Sequence, residues 1–211
     1  MLKRRILILT QKGGESMACN MVGVIGPTDI SQLAQFLGRS QEILGERGAL
    51  VGQILAETGK ELLVTADGGM LQAVAESYKD HGGEKLVMLL PLPGDLWSIE
   101  HAEPYAVIAD EVRRPADWIR ANLEVVSTPE LCVCVGLSAG TMAELSYIRW
   151  NIELGGGNLQ TLIAIRELLR GGEVPPEYKS ALAPVLRYTQ AVEGLREVLK
   201  EYQLSCAGMP L

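Results

Sequence analysis

The sequence predicts an α/β protein of the doubly wound, Rossmann-like type, a mostly parallel sheet with helices on both faces. Three observations carry this. Short apolar runs alternate along the chain with segments of helical periodicity. The runs are apolar almost throughout rather than at every second residue, as strands buried on both sides require. Apolar residues make up 47% of the 211 positions, enough for a sizeable core. That length fits one domain over residues 1–211, and no repeat or low-complexity linker divides it.

In chain order the strand runs are Ile6–Thr10, Met21–Ile25, Glu61–Thr65, Lys85–Leu90, Tyr105–Ala109, Leu131–Val135 and Gln160–Ile165. The first is followed by a polar, Gly-rich stretch ending near Asn20. Residues 1–20 therefore read as an N-terminal extension, either an extra edge strand or an ordered arm. Between the runs lie helices. Ile30, Leu33, Ala34, Leu37 and Leu44 fall on one helical stripe, which Val51, Ile54 and Leu55 continue past Gly45 and Gly48. Met70–Tyr78 and Thr141–Leu154 also read as helices. So does Tyr178–Tyr202, with a break near Pro184, which makes residues 175–211 a C-terminal helical segment.

Composition excludes several functions. A net charge of −7 disfavours a broad grip on nucleic acid or an anionic membrane. Aromatics, at 5%, are too few for an extended base-stacking surface. Cys19, Cys132, Cys134 and Cys206 form no CxxC pair, and His81 and His101 are the only histidines, so no metal site is expected. Cys132 and Cys134 alternate with valines and point to one face of a strand, as buried thiols of a reducing compartment. No signal peptide appears, and no apolar stretch approaches the roughly 20 residues that span a bilayer. A cytoplasmic location is expected.

Three strand-to-helix junctions share one design, an apolar run followed by small residues and then a helix. They are Gly26-Pro27-Thr28, Asp67-Gly68-Gly69, and Gly136-Leu137-Ser138-Ala139-Gly140-Thr141. A helix N-terminus offers unpaired N–H groups and a positive dipole end, and glycine lets an anion approach them. In a parallel sheet all three lie at the carboxyl ends of the strands, where ligands bind. The plainer reading of each turn is that glycine merely permits a tight bend. No GxGxxG follows the first strand and no P-loop exists, so standard dinucleotide and NTPase sites lack their fingerprints.

The stretch Ala49–Pro91, with Asp67-Gly68-Gly69-Met70, Gly82-Gly83 and a strand ending in Pro91, resembles the lysine-decarboxylase-like superfamily. That group contains the LOG cytokinin-activating phosphoribohydrolases and the molybdenum-cofactor carrier proteins. A second motif, PGGxGTxxE in the family, is matched by Gly136-Leu137-Ser138-Ala139-Gly140-Thr141-Met142-Ala143-Glu144. The family's upstream Arg is matched by Arg120. Together the likeness runs from about Val22 to Ile165. Two departures stand out. Leu137 and Ser138 occupy positions that are usually Gly, and Asp67 lies within the first glycine turn. A carboxylate there repels phosphate unless its side chain caps the helix.

The resemblance implies a nucleotide or other phosphate-bearing ligand, no required cofactor, and a homodimer, for which the apolar stripe of the C-terminal segment offers a surface. The three turns and the resemblance together point to binding by Gly26, Thr28, Gly68, Gly69, Met70, Ser138, Ala139, Gly140 and Thr141, and the resemblance makes Glu144 and Arg120 catalytic. Two functions stay open: a nucleoside 5′-monophosphate phosphoribohydrolase that releases a base from ribose 5-phosphate, or a non-catalytic carrier or sensor of a nucleotide or molybdopterin-type ligand. Lysine decarboxylation finds no lysine in a recognisable setting. Read from the residues alone, Thr141-x-x-Glu144 is equally a helix capping box, Arg120 equally a surface arginine, and Met70, Met88 and Met142 core filler. His81 reads as structural and His101 as solvated.

Overall fold

The computed structural model describes residues 20–94 and 97–206. The run Ile6–Thr10 and the extension that contains it lie outside the described residues. Seven strands form one parallel sheet in the order β4-β3-β2-β1-β5-β6-β7. They are β1 (Met21–Ile25), β2 (Glu61–Thr65), β3 (Leu86–Leu89), β4 (Glu111–Arg113), β5 (Leu131–Cys134), β6 (Thr161–Ile165) and β7 (Leu186–Thr189). The helices are α1 (Ile30–Leu37), α2 (Gln41–Ala56), α3 (Gly69–Asp80), α4 (Trp118–Ser127), α5 (Ala139–Leu154), α6 (Pro176–Leu182) and α7 (Leu195–Cys206). From β1 the chain winds outward through β2, β3 and β4. It then crosses back to place β5 beside β1, and winds the other way through β6 and β7. The order therefore reverses between β1 and β5, which opens a crevice at their carboxyl ends.

Strand alternation divides the core into two layers. Val22, Val24, Leu62, Val64, Met88 and Val133 face α1, α2, α3 and α7. Ile25, Leu63, Val87, Cys132, Cys134 and Leu162 face α4, α5 and α6. Both described thiols thus lie on one face, fully buried. Helix approach sets the layer thickness: at Gly52 a Cβ would overlap the Val74 carbonyl oxygen, so glycine lets α2 lie directly on α3.

Three expectations need correction. The stripe running from Ile30 to Leu55 is two helices. Gly38 ends α1 in the left-handed region at φ 63°, and the Ser40 hydroxyl caps α2 by accepting from the Ile43 N–H at 3.2 Å. Tyr105–Ala109 is no strand; Pro104 opens a 3-10 helix over Glu103–Ile108, Val107 is 82% exposed, and the strand is the following Glu111–Arg113. Tyr178–Tyr202 is not a broken helix either. Residues 175–211 contain α6, the edge strand β7 paired to β6, and then α7. The α7 stripe is spent inside the chain, since Leu195 and Leu199 are buried in the core.

Candidate functional site

The three glycine turns follow β1, β2 and β5, neighbouring strands of the parallel sheet, and so stand at one edge. They enclose a cleft of about 340 Å³ at the point where strand order reverses. Gly26, Thr28, Ser138, Ala139, Gly140, Thr141 and Glu144 line it, together with Asp29, Asp67 and Asn122. Gly68, Gly69 and Met70 do not. Met70 is wholly buried in the core, and its N–H donates to the Pro27 carbonyl at 3.0 Å. Gly69 sits at φ +63° with its backbone pressed on the Thr28 carbonyl, so the turn locks the loops together rather than opening to solvent.

The N-termini of the three helices are not equivalent. At α1 the Asp29 Oδ1 accepts from the Ser31 N–H, the Gln32 N–H and the Ser31 hydroxyl, at 2.9, 3.0 and 2.6 Å. The Ser31 hydroxyl, then the Gln32 amide, hold the Asp29 carboxyl below the usual carboxylate range. At α3 the Asp67 Oδ1 accepts from Gly68 N–H at 2.7 Å. At α5 the cap is Ser138, whose Oγ accepts from Thr141 N–H at 3.2 Å and lies 3.0 Å from Thr141 Oγ1. Helical bonding starts with Met142 N–H to the Ser138 carbonyl at 2.9 Å. The N–H groups of Ala139 and Gly140 precede it, exposed and without a partner among the described residues.

Because Ser138 is the cap, Thr141 lies within the first turn of α5 and Glu144 one turn further on. The capping-box reading of these two residues therefore fails. Glu144 is 5% exposed and lines the cleft, and its carboxyl makes no hydrogen bond or ion pair among the described residues. Burial pushes that carboxyl well above the usual carboxylate range. Behind it, Cys132 and Cys134 are buried thiols; burial first, and then the Glu144 charge for Cys132, push both up, Cys134 to about 12.

Arg120 is in the first turn of α4, exposed, its N–H bonded to the Asp117 Oδ1 capping that helix at 2.7 Å. Trp118 and Asn122, four residues apart, share the face of α4 that lines the cleft; Arg120 is two residues on and turned away from it. Arg113 is paired with Glu111 and Glu124, and Arg114 reaches the Pro91 carbonyl. Among the described residues no arginine or lysine lines the central cleft. His81 is structural, its Nδ1 2.8 Å from the Ser77 carbonyl oxygen.

Two further cavities adjoin the cleft. One, about 590 Å³, shares Gln32, Ser138 and Ala139 with it and is otherwise lined by Phe36, Met142, Pro175 and Arg170 among others. Arg170 has no ion pair among the described residues, and its guanidinium carbon lies 5.8 Å from the Phe36 ring centre. The other, about 570 Å³, shares Asp67, Trp118 and Asn122 with the cleft and adds Trp97, His101 and Tyr147. His101 is not simply solvated: its ring stacks on Trp118 at 5.6 Å, and Nε2 lies 3.8 Å from Asp67 Oδ2. Asp29, Asn122 and this aromatic group are site residues that sequence reasoning missed. Only Asp29 left a signal, as an Asp directly before a helical stripe.

No protein-family model matches the chain, and no curated protein is significantly similar to it in sequence. Solved structures share its fold. The molybdenum cofactor carrier protein of Chlamydomonas reinhardtii superposes with a TM-score of 0.58 at 18% identity, covering 88% of this chain and 98% of that one. The molybdenum cofactor binding protein of the phototrophic bacterium Rippkaea orientalis gives 0.59 at 16% identity, with the same coverage. The DNA processing protein A of Helicobacter pylori gives 0.56 at 11% identity, over 89% of this chain and 83% of that one. At such identities the likeness is one of fold. No helix among the described residues is long and apolar enough to cross a membrane.

Proposed function

We propose that the chain is a binding protein for a small phosphate-bearing molecule, a nucleotide or a molybdopterin-type ligand, held at the reversal point of the sheet. The observation that carries this is the start of α5. Its Ala139 and Gly140 N–H groups are exposed and unengaged, whereas Asp29 takes two first-turn amides of α1 and the Pro27 carbonyl takes the Met70 amide of α3. Two amides at the positive end of a sixteen-residue helix suit one phosphate. Asp29, Asp67 and Glu144 line the central cleft with no cation beside them among the described residues, so the phosphate sits best at the Ser138–Ala139 edge shared with the Arg170 cavity, where Glu173 is already paired with Arg166 and Lys179. The shared fold with two proteins whose names state that they carry or bind the molybdenum cofactor supports a carrier role.

The hydrolase reading is second and rests on Glu144. A buried, unpaired carboxyl whose proton burial holds more tightly than usual suits a proton donor rather than a stabiliser of positive charge. In hydrolysis of an N-glycosidic bond the C1′–N bond breaks, a water oxygen bonds to C1′, and the leaving nitrogen takes a proton from Glu144, whose carboxylate then takes the proton the water loses. Titrating ribose 5-phosphate and a panel of nucleoside monophosphates by calorimetry, with chromatography for free base, tests both. Binding without base release over hours supports the carrier. Base release that Glu144→Gln lowers by a factor on the order of 10² while binding survives supports the hydrolase. If no phosphate-bearing compound binds, both readings fail.

A further inference from the structure

We infer that the cavity beside Trp118 is the subsite for a flat heterocycle, and that Asp67 with Asn122 selects a ring bearing a 2-amino-4-oxo edge. The inference rests on the proposed phosphate-ligand function and names the other half of that ligand.

Aromatic residues are scarce in this chain, with one Phe, three Trp and six Tyr in all. Two of the three tryptophans, Trp97 and Trp118, line this one cavity with Tyr147 and His101. They come from separate segments, the loop after β3, α4 and α5, so no local periodicity explains their meeting. Trp97 is 49% exposed, and half an indole open to water is a cost that a stacked ligand removes. At about 570 Å³ the cavity has the size of small-molecule pockets generally. The Trp118–His101 stack, with 28° between the ring planes, extends the aromatic wall of the cavity.

The polar groups on the floor decide which ring. Asp67 borders both this cavity and the central cleft. Its Oδ1 accepts from Gly68 N–H, while Oδ2 has no hydrogen bond, only the 3.8 Å approach of His101 Nε2. An ionised carboxylate accepts and does not donate. Its complement is an edge with adjacent N–H donors, as guanine and pterin present in the ring N–H and the 2-amino group. Adenine sets a ring-nitrogen lone pair beside its amino group, so one oxygen would meet a lone pair. Asn122 offers a donor and an acceptor, and its donor can meet the 4-oxo group. The carboxylate that disfavours phosphate at the α3 turn is thus well placed to bind the opposite end of the same ligand.

Phosphate-free compounds test the subsite apart from the phosphate site. Guanosine, neopterin and adenosine are titrated against the full chain by calorimetry and tryptophan fluorescence, with ribose 5-phosphate titrated separately. Guanosine or neopterin should quench tryptophan emission and bind at least about tenfold more tightly than adenosine; whichever binds more tightly identifies a nucleotide or a pterin. Trp118→Leu should weaken that binding about tenfold. Asp67→Asn keeps an oxygen for Gly68 N–H but should abolish the preference over adenosine, with near-ultraviolet circular dichroism unchanged. Adenosine binding as tightly as the other two, no binding by any of the three, or full affinity in Trp118→Leu would overturn the subsite. Failure of ribose 5-phosphate alone would instead overturn the phosphate reading.

Discussion

Replacing Glu144 by Gln should make the protein more stable at neutral pH, and the pH dependence of that gain reports the state of the carboxyl. Glu144 is 5% exposed with no partner among the described residues, and burial raises its carboxyl well above the usual carboxylate range. Below that range both the folded and unfolded chains hold the proton, and the group costs nothing. As pH rises past the unfolded value, the unfolded chain ionises while the folded one does not. Stability is then lost at up to about 1.4 kcal/mol per pH unit until the folded value is reached. Gln carries no such dependence, so any constant cost of fitting its amide cancels when the two proteins are compared across pH. For a chain of this size, 1 kcal/mol moves the melting temperature by about 2–4 °C. The melting difference between variant and wild type should therefore widen by about 3–6 °C per unit above pH 5. A difference that stays flat would mean a carboxyl that folding does not shift, and a variant that loses ground as pH rises would mean an ionised, partnered one; either refutes the raised Glu144.

Three further outcomes follow from the glycine turns and the helix surfaces. Gly69→Ala should cost about 2–4 kcal/mol in denaturant unfolding, because residue 69 lies at φ +63° with no room beside the Thr28 carbonyl. Gly140→Ala meets only the Ser138 hydroxyl at 3.7 Å and should raise stability by up to about 1 kcal/mol while weakening ribose 5-phosphate binding; equal affinity would count against the α5 phosphate site. A homodimer should use the exposed end of α5, where Trp150 and Leu154 are 56% and 76% exposed, rather than the buried stripe of α7. Light scattering should give twice the 22.8 kDa chain mass, falling to the chain mass in a Trp150→Glu, Leu154→Glu double variant; a wild-type monomer refutes it.

The sheet was legible because its central strands are buried on both faces. Val22, Val24 and Ile25, or Leu62, Leu63 and Val64, leave no polar position to confuse with a helix. The edges were not. β7 reads Leu-Arg-Tyr-Thr with Arg187 exposed, and it lies between two helices whose pattern absorbs it. β4 is three residues long and half open, so the more apolar Tyr105–Ala109 outbid it. Of the site, the three turns were legible since each directly follows a central strand. Arg120 shows the limit of motif spacing: two residues along a helix turn a side chain through more than half a revolution. The aromatic cavity left no trace in the sequence, because only folding brings Trp97, His101, Trp118 and Tyr147 together.

The two cleft carboxyls Asp29 and Glu144 are driven in opposite directions by the same fold. Hydrogen bonds from Ser31 and Gln32 lower the Asp29 carboxyl as a helix cap, and burial raises that of Glu144. The resulting charge pattern along the sheet edge is ordered. The Ala139 amide and Arg170 lie at one end, the buried Glu144 carboxyl in the middle, and the Asp67 carboxylate among aromatic rings at the other. A compact dianion finds no complement in the middle of that path, and an apolar ligand leaves Asp67 and Asn122 unsatisfied. What fits is an elongated molecule, anionic at one tip and carrying N–H donors on a flat ring at the other. A phosphate with no ring should accordingly bind weakly, and a ring with no phosphate should bind independently of it, since the groups that hold the two ends share no side chain.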